Sequence, residues 1–181
     1  MNSVNGAPAM KTDFLIQLDD RSGVSARMLS AAAWAVRIAI GIGFLSAVAD
    51  RFGLWGPAGA PGVTWGNLAK YNAYVAQLNW FVPGALIPLV GWVATIAELG
   101  LGIALLAGWQ LRWSALLSAL MLAAFGVTMT LALGPHAPLS YSVFAAASAA
   151  FLLFAIQPTG GASCLIGEET GVALKCPPAN P

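Results

Sequence analysis

The sequence predicts an all-α membrane protein, an antiparallel bundle of four transmembrane helices with an amphipathic interfacial helix between the first two. Hydrophobic residues make up 59% of the 181 residues and charged residues only 8%, whereas about a quarter of the residues in a soluble domain are charged. Four apolar blocks have lengths close to the roughly 20 helical residues that cross a bilayer core. They are residues 31–49, 85–107, 113–133 and 139–156. Each block is apolar around its whole circumference, which is typical of a helix in lipid.

The four spans divide the chain into a polar N-terminal tail of residues 1–29, a membrane domain of residues 30–157 and a C-terminal tail of residues 158–181. An even number of crossings places both tails on the same side of the membrane. The basic residues of that side are Lys11, Arg21, Arg27, Arg112 and Lys175, and those of the opposite loops are Arg51 and Lys70. Because Lys and Arg concentrate in cytoplasmic loops, we expect a multi-pass protein of the cytoplasmic membrane with both termini cytoplasmic.

The external loop between the first two spans, residues 50–84, is long enough to contain an element of its own. We expect Thr64 to cap a helix over residues 65–80, because apolar side chains recur there at helical spacing. Those side chains are Leu68, Tyr71, Val75 and Leu78. Aromatic residues along the segment suit the headgroup boundary, so the helix is expected to lie in the membrane interface. It either covers the bundle as a lid or lines an entrance for a lipid-soluble ligand.

Two ionisable residues, Arg37 and Glu98, lie inside predicted spans. A charge facing lipid costs several kcal/mol, so both side chains are expected to face the protein interior. Arg37 lies about 9 Å from the cytoplasmic end of the first span and Glu98 about 14 Å from the same end of the second, at 1.5 Å per residue. The two depths predict an ion pair between them.

The residues around Glu98 are small. Gly91, Thr95 and Gly102 share its stripe on the second span, and we expect them to leave space for a planar ring such as a quinone. A second stripe of small residues runs along the first span and predicts close packing against another helix. Its members are Ala31, Ala35, Ala39, Gly43 and Ala47.

Three interpretations of the Arg37 and Glu98 side chains remain open at this point. They form an ion pair that fixes the helix register. Alternatively, they form a polar site for a quinone headgroup, an anion or a proton. In the third interpretation, Arg37 extends to the cytoplasmic surface and Glu98 is protonated. Asp50 and Arg51, at the end of the first span, are expected to cap that helix and contact lipid headgroups.

The composition excludes several other functions. A formal net charge of +1 provides no basic surface for nucleic acid. One His and two Cys are too few for His-rich metal sites, bis-imidazole haem or iron–sulfur clusters, so we expect no metal and no intrinsic cofactor. Cys164 and Cys176 are twelve residues apart and do not form the Cys-x-x-Cys motif of a dithiol enzyme.

Five features stand in order along the membrane domain. They are Arg37, residues 50–56 (Asp-Arg-Phe-Gly-Leu-Trp-Gly), residues 98–102 (Glu-Leu-Gly-Leu-Gly), Arg112 and residues 137–144 (Ala-Pro-Leu-Ser-Tyr-Ser-Val-Phe). Their order and spacing resemble the DoxX/DoxD family of small four-helix membrane proteins, over about residues 30–157. That family includes the small subunit of thiosulfate:quinone oxidoreductase and members of redox-protective membrane complexes. The resemblance therefore implies an association with membrane redox chemistry.

We therefore expect a subunit of, or accessory to, a quinone-linked oxidoreductase complex, acting in sulfur-compound oxidation or redox protection. In this hypothesis Glu98 exchanges a proton or binds a quinone hydroxyl, and Arg37 stabilises anionic character. The expected partners are membrane lipid, quinone, and a partner protein or a second copy of the chain. One rival interpretation is a small-solute or proton carrier, which needs polar groups along a whole path. The other is a structural anchor for a soluble enzyme, which needs a partner-binding tail.

Overall fold

A computed structural model describes the backbone of residues 7–157 and the side chains from residue 26 onward. Within this part of the chain the secondary structure is helical and contains no strand. The helices are α1 (Ala7–Arg51), α2 (Leu68–Leu78), α3 (Ile87–Ala107), α4 (Leu111–Leu133), α5 (His136–Ser140) and α6 (Val143–Ala155), and a short 3-10 turn (Gly84–Leu86) precedes α3. The predicted C-terminal tail, residues 158–181 with both cysteines, lies outside the described residues.

Among the residues with described side chains, three helical segments are long and apolar enough to cross a membrane: Ala26–Arg51, Gly84–Ala107 and Leu111–Leu133. Large apolar side chains on their outer surfaces are exposed, including Ile42, Ile96 and Leu120. Such surfaces are unfavourable in water and suit contact with lipid. Within the described residues, the structure therefore confirms an all-helical fold with helices long and apolar enough to span a membrane.

The predicted fourth span, residues 139–156, is not one continuous helix. Ser142 has a left-handed backbone (φ 54°), which ends α5 and separates it from α6. Because a left-handed residue cannot continue a right-handed helix, the apolar helix that follows is only 13 residues long.

The first span is longer than the predicted residues 31–49. At the loop side α1 continues to Arg51, so Asp50 and Arg51 form its last turn and do not begin the loop. The helical backbone extends back to Ala7, into the predicted N-terminal tail.

The four apolar helices pack as two pairs, α1 with α3 and α4 with α6. Contacts between the pairs are fewer, through α1 with α6 and α3 with α4. The main core is a cluster contributed by all four helices: Ile40, Phe44, Leu105, Ala115, Ala119, Ala150 and Leu153. It lies toward the end of the bundle where α3 and α6 terminate, called the terminal side below. The opposite end, where residues 52–83 lie, is called the loop side.

The loop-side helix α2 is shorter than the predicted 65–80, and its N-cap is Asn67 in place of Thr64. Asn67 Oδ1 accepts a hydrogen bond from the Lys70 amide at 2.9 Å. The predicted apolar face is largely confirmed, because Tyr71, Val75 and Leu78 are buried. A second cluster, formed by Tyr71, Val75 and Ile87, holds α2 against the beginning of α3.

Small residues on α1 have two different roles. A Cβ atom on Gly41 would lie 2.8 Å from Leu106 Cγ and 3.2 Å from the Gly102 carbonyl oxygen, so Gly41 permits the close contact between α1 and α3. Gly43 has no atom within 4 Å of its ideal Cβ position. The predicted stripe that contains Gly43 is therefore not a tightly packed face along its whole length.

These two glycines provide a matched test of the packing. We expect Gly41→Ala to lower the melting temperature in detergent, because the added methyl group displaces Leu106 and separates α1 from α3. Gly43→Ala is expected to leave it unchanged or raise it, since Ala is favoured over Gly in a helix by about 1 kcal/mol. Thermal unfolding followed by circular dichroism distinguishes the two. Equal destabilisation by both substitutions would contradict the packing described here.

Candidate functional site

The buried ion pair of the site joins the end of α1 to the middle of α3. Arg51 Nη2 lies 2.6 Å from Glu98 Oε2. Only 2% of Arg51 and 3% of Glu98 are exposed. The predicted pair between Arg37 and Glu98 is therefore wrong. The expectation that Arg51 contacts lipid headgroups is also wrong, because its side chain lies inside the protein.

The direction of helical side chains explains why Arg37 does not reach Glu98. Side chains on an α-helix lean toward the N-terminus of their own helix. Because α1 and α3 are antiparallel, Arg37 leans toward the terminal side, whereas Glu98 leans toward the loop side. Arg51 lies on the loop side of Glu98 and leans back toward it. Depths calculated from residue positions along the helix axes do not include these directions.

Arg37 instead binds the C-terminal end of α3. Its Nε donates to the Leu105 carbonyl at 3.0 Å, and its Nη2 donates to the Leu106 carbonyl at 3.4 Å. Its guanidinium also lies 4.0 Å from the centre of the Trp34 ring. A cation stabilises the carbonyl groups at the end of a helix, which have no partners within that helix. Arg37 therefore stabilises the C-terminal end of α3 and lies away from Glu98.

Arg51 is surrounded by residues of α3, of α2 and of the loop before α2. They are Glu98, Thr95, Tyr71 and Trp65. Nη1 donates to Thr95 Oγ1 at 2.9 Å, and Thr95 Oγ1 in turn donates to the Gly91 carbonyl at 2.7 Å. The guanidinium carbon lies 3.8 Å from the centre of the Tyr71 ring and 5.4 Å from that of Trp65. Contacts between a cation and an aromatic face are strongest where water is excluded. The site therefore includes α2 and the loop before it, as well as α1 and α3.

Asp50 fixes the loop that precedes α2. Its Oδ2 accepts hydrogen bonds from the backbone amides of Thr64, at 3.1 Å, and Trp65, at 2.9 Å. Hydrogen bonds to an ionised carboxylate are about twice as strong as those between neutral groups. Asp50 and Arg51 are neighbours in the last turn of α1, so one dipeptide holds both the loop and the ion pair.

The polar cluster, defined as Asp50, Arg51, Tyr71, Thr95 and Glu98, has unused capacity for hydrogen bonds. Four of its buried atoms have no aligned partner among the described residues: Asp50 Oδ1, Arg51 Nε, Tyr71 OH and Glu98 Oε2. Glu98 Oε2 is nevertheless held in the ion pair with Arg51 Nη2, at 2.6 Å. A buried polar atom without a hydrogen bond costs about 1–3 kcal/mol, so a polar ligand or water that contacts this cluster would be stabilised.

Tyr71 contributes a hydroxyl that stays protonated. Burial raises the pKa of Tyr71 to about 12, although the nearby Arg51 opposes this shift. Because the neutral form persists far above neutral pH, the hydroxyl is available as a hydrogen-bond donor throughout the physiological range.

A cavity of about 950 Å³, called the α1–α6 cavity below, lies beside the ion pair. It extends along α1 from Val36 to Arg51, has α6 as its opposite wall and α2 as its roof, and includes Glu98 in its lining. Its volume is within the range of about 300–1,000 Å³ that is typical of sites for small molecules. Most of its polar lining residues lie at the loop side: Arg51, Thr64, Lys70, Tyr74, Gln77, Glu98 and Tyr141.

The other sequence-predicted site residues do not line this cavity. Thr95 binds Arg51, but Gly91 faces Tyr71 and Asn72 of α2, and Gly102 packs against α1. The space that we expected beside Gly91 and Gly102 is therefore filled by protein atoms. These glycines permit close contact between α3 and its neighbouring elements.

Sequence reasoning did not identify Arg51, Asp50 and Tyr71 as members of the site. The predicted span ends at residue 49, which places Arg51 among the charges of the external loop. A signal was present in the sequence, because an Arg following a long apolar run can lean back into the helix bundle. Tyr71 was correctly assigned to the buried face of the loop helix, but nothing in the spacing indicated that it would contact Arg51.

A second cavity of about 800 Å³ lies on the other side of the bundle, between α2, α3 and α4. Its lining is apolar except for Tyr71, Asn79 and Thr128, and it includes Gly100 of α3. Neither Arg51 nor Glu98 lines it, so the ion pair opens only into the first of the two cavities.

The part of the chain that the structure describes contains no group of three or more His, Cys, Asp or Glu side chains arranged to hold a metal ion. Comparison of the chain with protein-family models, with curated proteins and with solved structures finds no match in any of the three. The chemistry of the site must therefore be inferred from its own residues.

The ion pair predicts coupled stability effects. Arg51→Met or Glu98→Gln alone is expected to lower the stability of the protein in detergent by about 3–5 kcal/mol, because each leaves the other residue buried without its partner. The double variant should lose less than the sum of the two single losses. Thermal unfolding of the three variants measures the coupling.

Arg37→Met provides the matched control, since Arg37 is also a buried arginine of α1. When Arg37→Met is combined with Glu98→Gln, the loss of stability should equal the sum of the two single losses. Coupling of Glu98 to Arg37 and not to Arg51 would contradict the pairing described here.

Proposed function

We propose that this protein is an integral membrane subunit of a quinone-linked oxidoreductase, and that its polar cluster binds the headgroup of a lipid-soluble quinone. The observation that supports this proposal most directly is the Arg51–Glu98 pair, because both members are buried within apolar helices and both line a cavity of about 950 Å³. Placing an ionisable pair at such a position costs free energy, so its presence indicates a role in structure or function.

The chemistry of the pair favours a neutral ligand with hydrogen-bonding groups. Arg51 and Glu98 together carry no net charge, so an ionic ligand would gain little from both. A quinone carbonyl can accept a hydrogen bond from the Arg51 guanidinium, and the hydroxyl of the corresponding quinol can donate to the Glu98 carboxylate, since both residues line the cavity. The rings of Trp65 and Tyr74 provide aromatic surfaces on the same cavity wall.

Glu98 gives the site a group that can exchange a proton. Reduction of a quinone to a quinol requires two electrons and two protons. In this proposal a redox partner protein supplies or accepts the electrons, Glu98 transfers one of the protons to or from a ring oxygen, and water supplies or accepts the other. A carboxylate within hydrogen-bond distance of a reacting oxygen is suited to this role. Arg51 holds Glu98 in position and donates a hydrogen bond to the quinone carbonyl.

The resemblance to the DoxX/DoxD family supports the same interpretation. Two of the segments that carry the resemblance, residues 50–56 and 98–102, contain Arg51 and Glu98. The ion pair thus joins two of the segments that carry the resemblance. We extend the proposal to a four-crossing topology with both termini cytoplasmic, in which α5 and α6 together make the last crossing.

The distribution of polar groups disfavours a carrier. A solute or proton carrier needs polar groups at both ends of its path, whereas the terminal-side part of the α1–α6 cavity is lined by apolar residues such as Val36 and Ile40. A ligand with one polar end matches this lining better than a hydrophilic solute does.

Binding of a short-tailed benzoquinone to the purified protein tests the proposal. We expect saturable binding by calorimetry and a higher melting temperature in its presence, because a ligand that binds only the folded state stabilises it. Arg51→Met and Glu98→Ala should each weaken binding at least about tenfold, equivalent to about 1.4 kcal/mol. Arg37→Met should change it less than about twofold, since Arg37 does not line the cavity.

Electron transfer provides a second measurement in native membranes. Glu98→Gln keeps the size of the side chain but cannot titrate, so the variant should assemble and lose quinone-linked electron transfer. Absence of quinone binding by the wild-type protein, or equal losses in the Arg37 and Arg51 variants, would refute the proposal.

A further inference from the structure

The α1–α6 cavity is an elongated crevice. Along α1 its lining extends from Val36 to Arg51, which corresponds to about 22 Å at 1.5 Å per residue. This length is much greater than that of a single aromatic ring. A headgroup bound at the Arg51 end would therefore leave most of the crevice available for another part of the ligand.

Both long walls of the crevice include small residues. Ala39, Gly43 and Ala47 of α1 and Ala145, Ala146 and Ala149 of α6 are among its lining residues. Gly43 and Ala145 are exposed, and nothing lies within 4 Å of the ideal Cβ position of Gly43. The small side chains keep the helices from filling the space between them, so the crevice is open at the side of the bundle.

The crevice changes from polar to apolar along its length. At its loop-side end are the ion pair and Arg51 Nε, which has no aligned partner among the described residues and belongs to a residue that is only 2% exposed. Toward the terminal side the lining is formed by apolar residues such as Val36, Ile40 and Phe44. A molecule that matches both parts has a compact polar head and a long hydrocarbon chain.

We propose that the crevice holds the hydrocarbon tail of the ligand, and that the ligand enters sideways from the lipid between α1 and α6. The inference rests on the proposed function, since it assigns the head to Arg51 and Glu98. It adds the class of ligand, a long-chain isoprenoid quinone, and the route by which that ligand arrives. Tyr74 and Gln77 of α2 cover the loop-side end of the crevice. This covering favours entry from the lipid over entry through the loop-side end.

The second cavity supplies the matched control. Gly100 of α3 is exposed, lies within a transmembrane helix and has open space at its ideal Cβ position, as Gly43 does. Gly100 lines the cavity between α3 and α4, which contains neither Arg51 nor Glu98. The same substitution at the two glycines therefore narrows one crevice or the other with a similar local effect on the helix.

The experiment compares Gly43→Leu and Gly100→Leu in the full-length protein reconstituted in lipid nanodiscs. Binding of two benzoquinones is measured, one with a single isoprene unit and one with a long isoprenoid chain. Each affinity is divided by that of the wild-type protein for the same ligand, so that partition into lipid cancels. Ala149→Leu, on the facing wall, is a second test of the crevice. Circular dichroism and melting temperature identify any variant that does not fold.

We expect Gly43→Leu and Ala149→Leu to weaken binding of the long-tailed quinone about tenfold, equivalent to about 1.4 kcal/mol. Binding of the short-tailed quinone should change less than about twofold, and Gly100→Leu should affect neither ligand. If the wild-type protein binds the short-tailed quinone but Gly43→Leu and Ala149→Leu do not discriminate between tails, the tail assignment is overturned and the headgroup site stands. A selective loss in Gly100→Leu would place the tail in the second cavity and would also overturn the inference. Failure of the wild-type protein to bind the short-tailed quinone would instead overturn the proposed function.

Discussion

The ion pair between Arg51 and Glu98 organises the loop-side half of this protein. A charged side chain inside apolar helices needs a partner, because lipid and protein interior solvate it poorly. Each member of the pair satisfies this requirement for the other, and Thr95 and Tyr71 supply further contacts to the guanidinium. The same turn of α1 contains Asp50, which binds the loop before α2. Removal of the pair would therefore disturb the position of α2 as well as the contact between α1 and α3.

The main features of the fold follow from the sequence because they depend on hydrophobic length. Apolar runs predicted helices in the membrane, and three helices in the described part of the chain are long and apolar enough to span one. Apolar residues at helical spacing also predicted the buried face of α2, at Tyr71, Val75 and Leu78. The break at Ser142 could not be predicted in this way, because Ser adopts a left-handed backbone only where the surrounding structure imposes it.

The site was only partly predictable for a different reason. The free-energy cost of a charge that faces lipid correctly indicated that Glu98 faces the interior. This argument needs only the position of Glu98 in an apolar helix. The choice between Arg37 and Arg51 as its partner depends on the direction of each side chain and on where α1 ends. Small residues were equally ambiguous, because Gly41 permits close packing whereas Gly43 borders open space. A glycine pattern alone does not distinguish a contact from a cavity.

The proposed site combines these features into one arrangement. The main core holds the four apolar helices together at the terminal side, and α2 packs on α3 at the loop side. The α1–α6 cavity lies beside these packed regions, with Arg51 and Glu98 in its lining and small residues along its walls. The geometry favours a ligand that is polar at one end and apolar along the rest of its length.

The most direct test of this account is a solid-state NMR distance between the guanidinium nitrogens of Arg51 and the carboxyl carbon of Glu98, measured on the protein in lipid bilayers. The account predicts a dipolar coupling that corresponds to contact, about 4 Å or less, and that persists in the Arg37→Met variant. A coupling between Glu98 and Arg37, absent in Arg37→Met and retained in Arg51→Met, would contradict it.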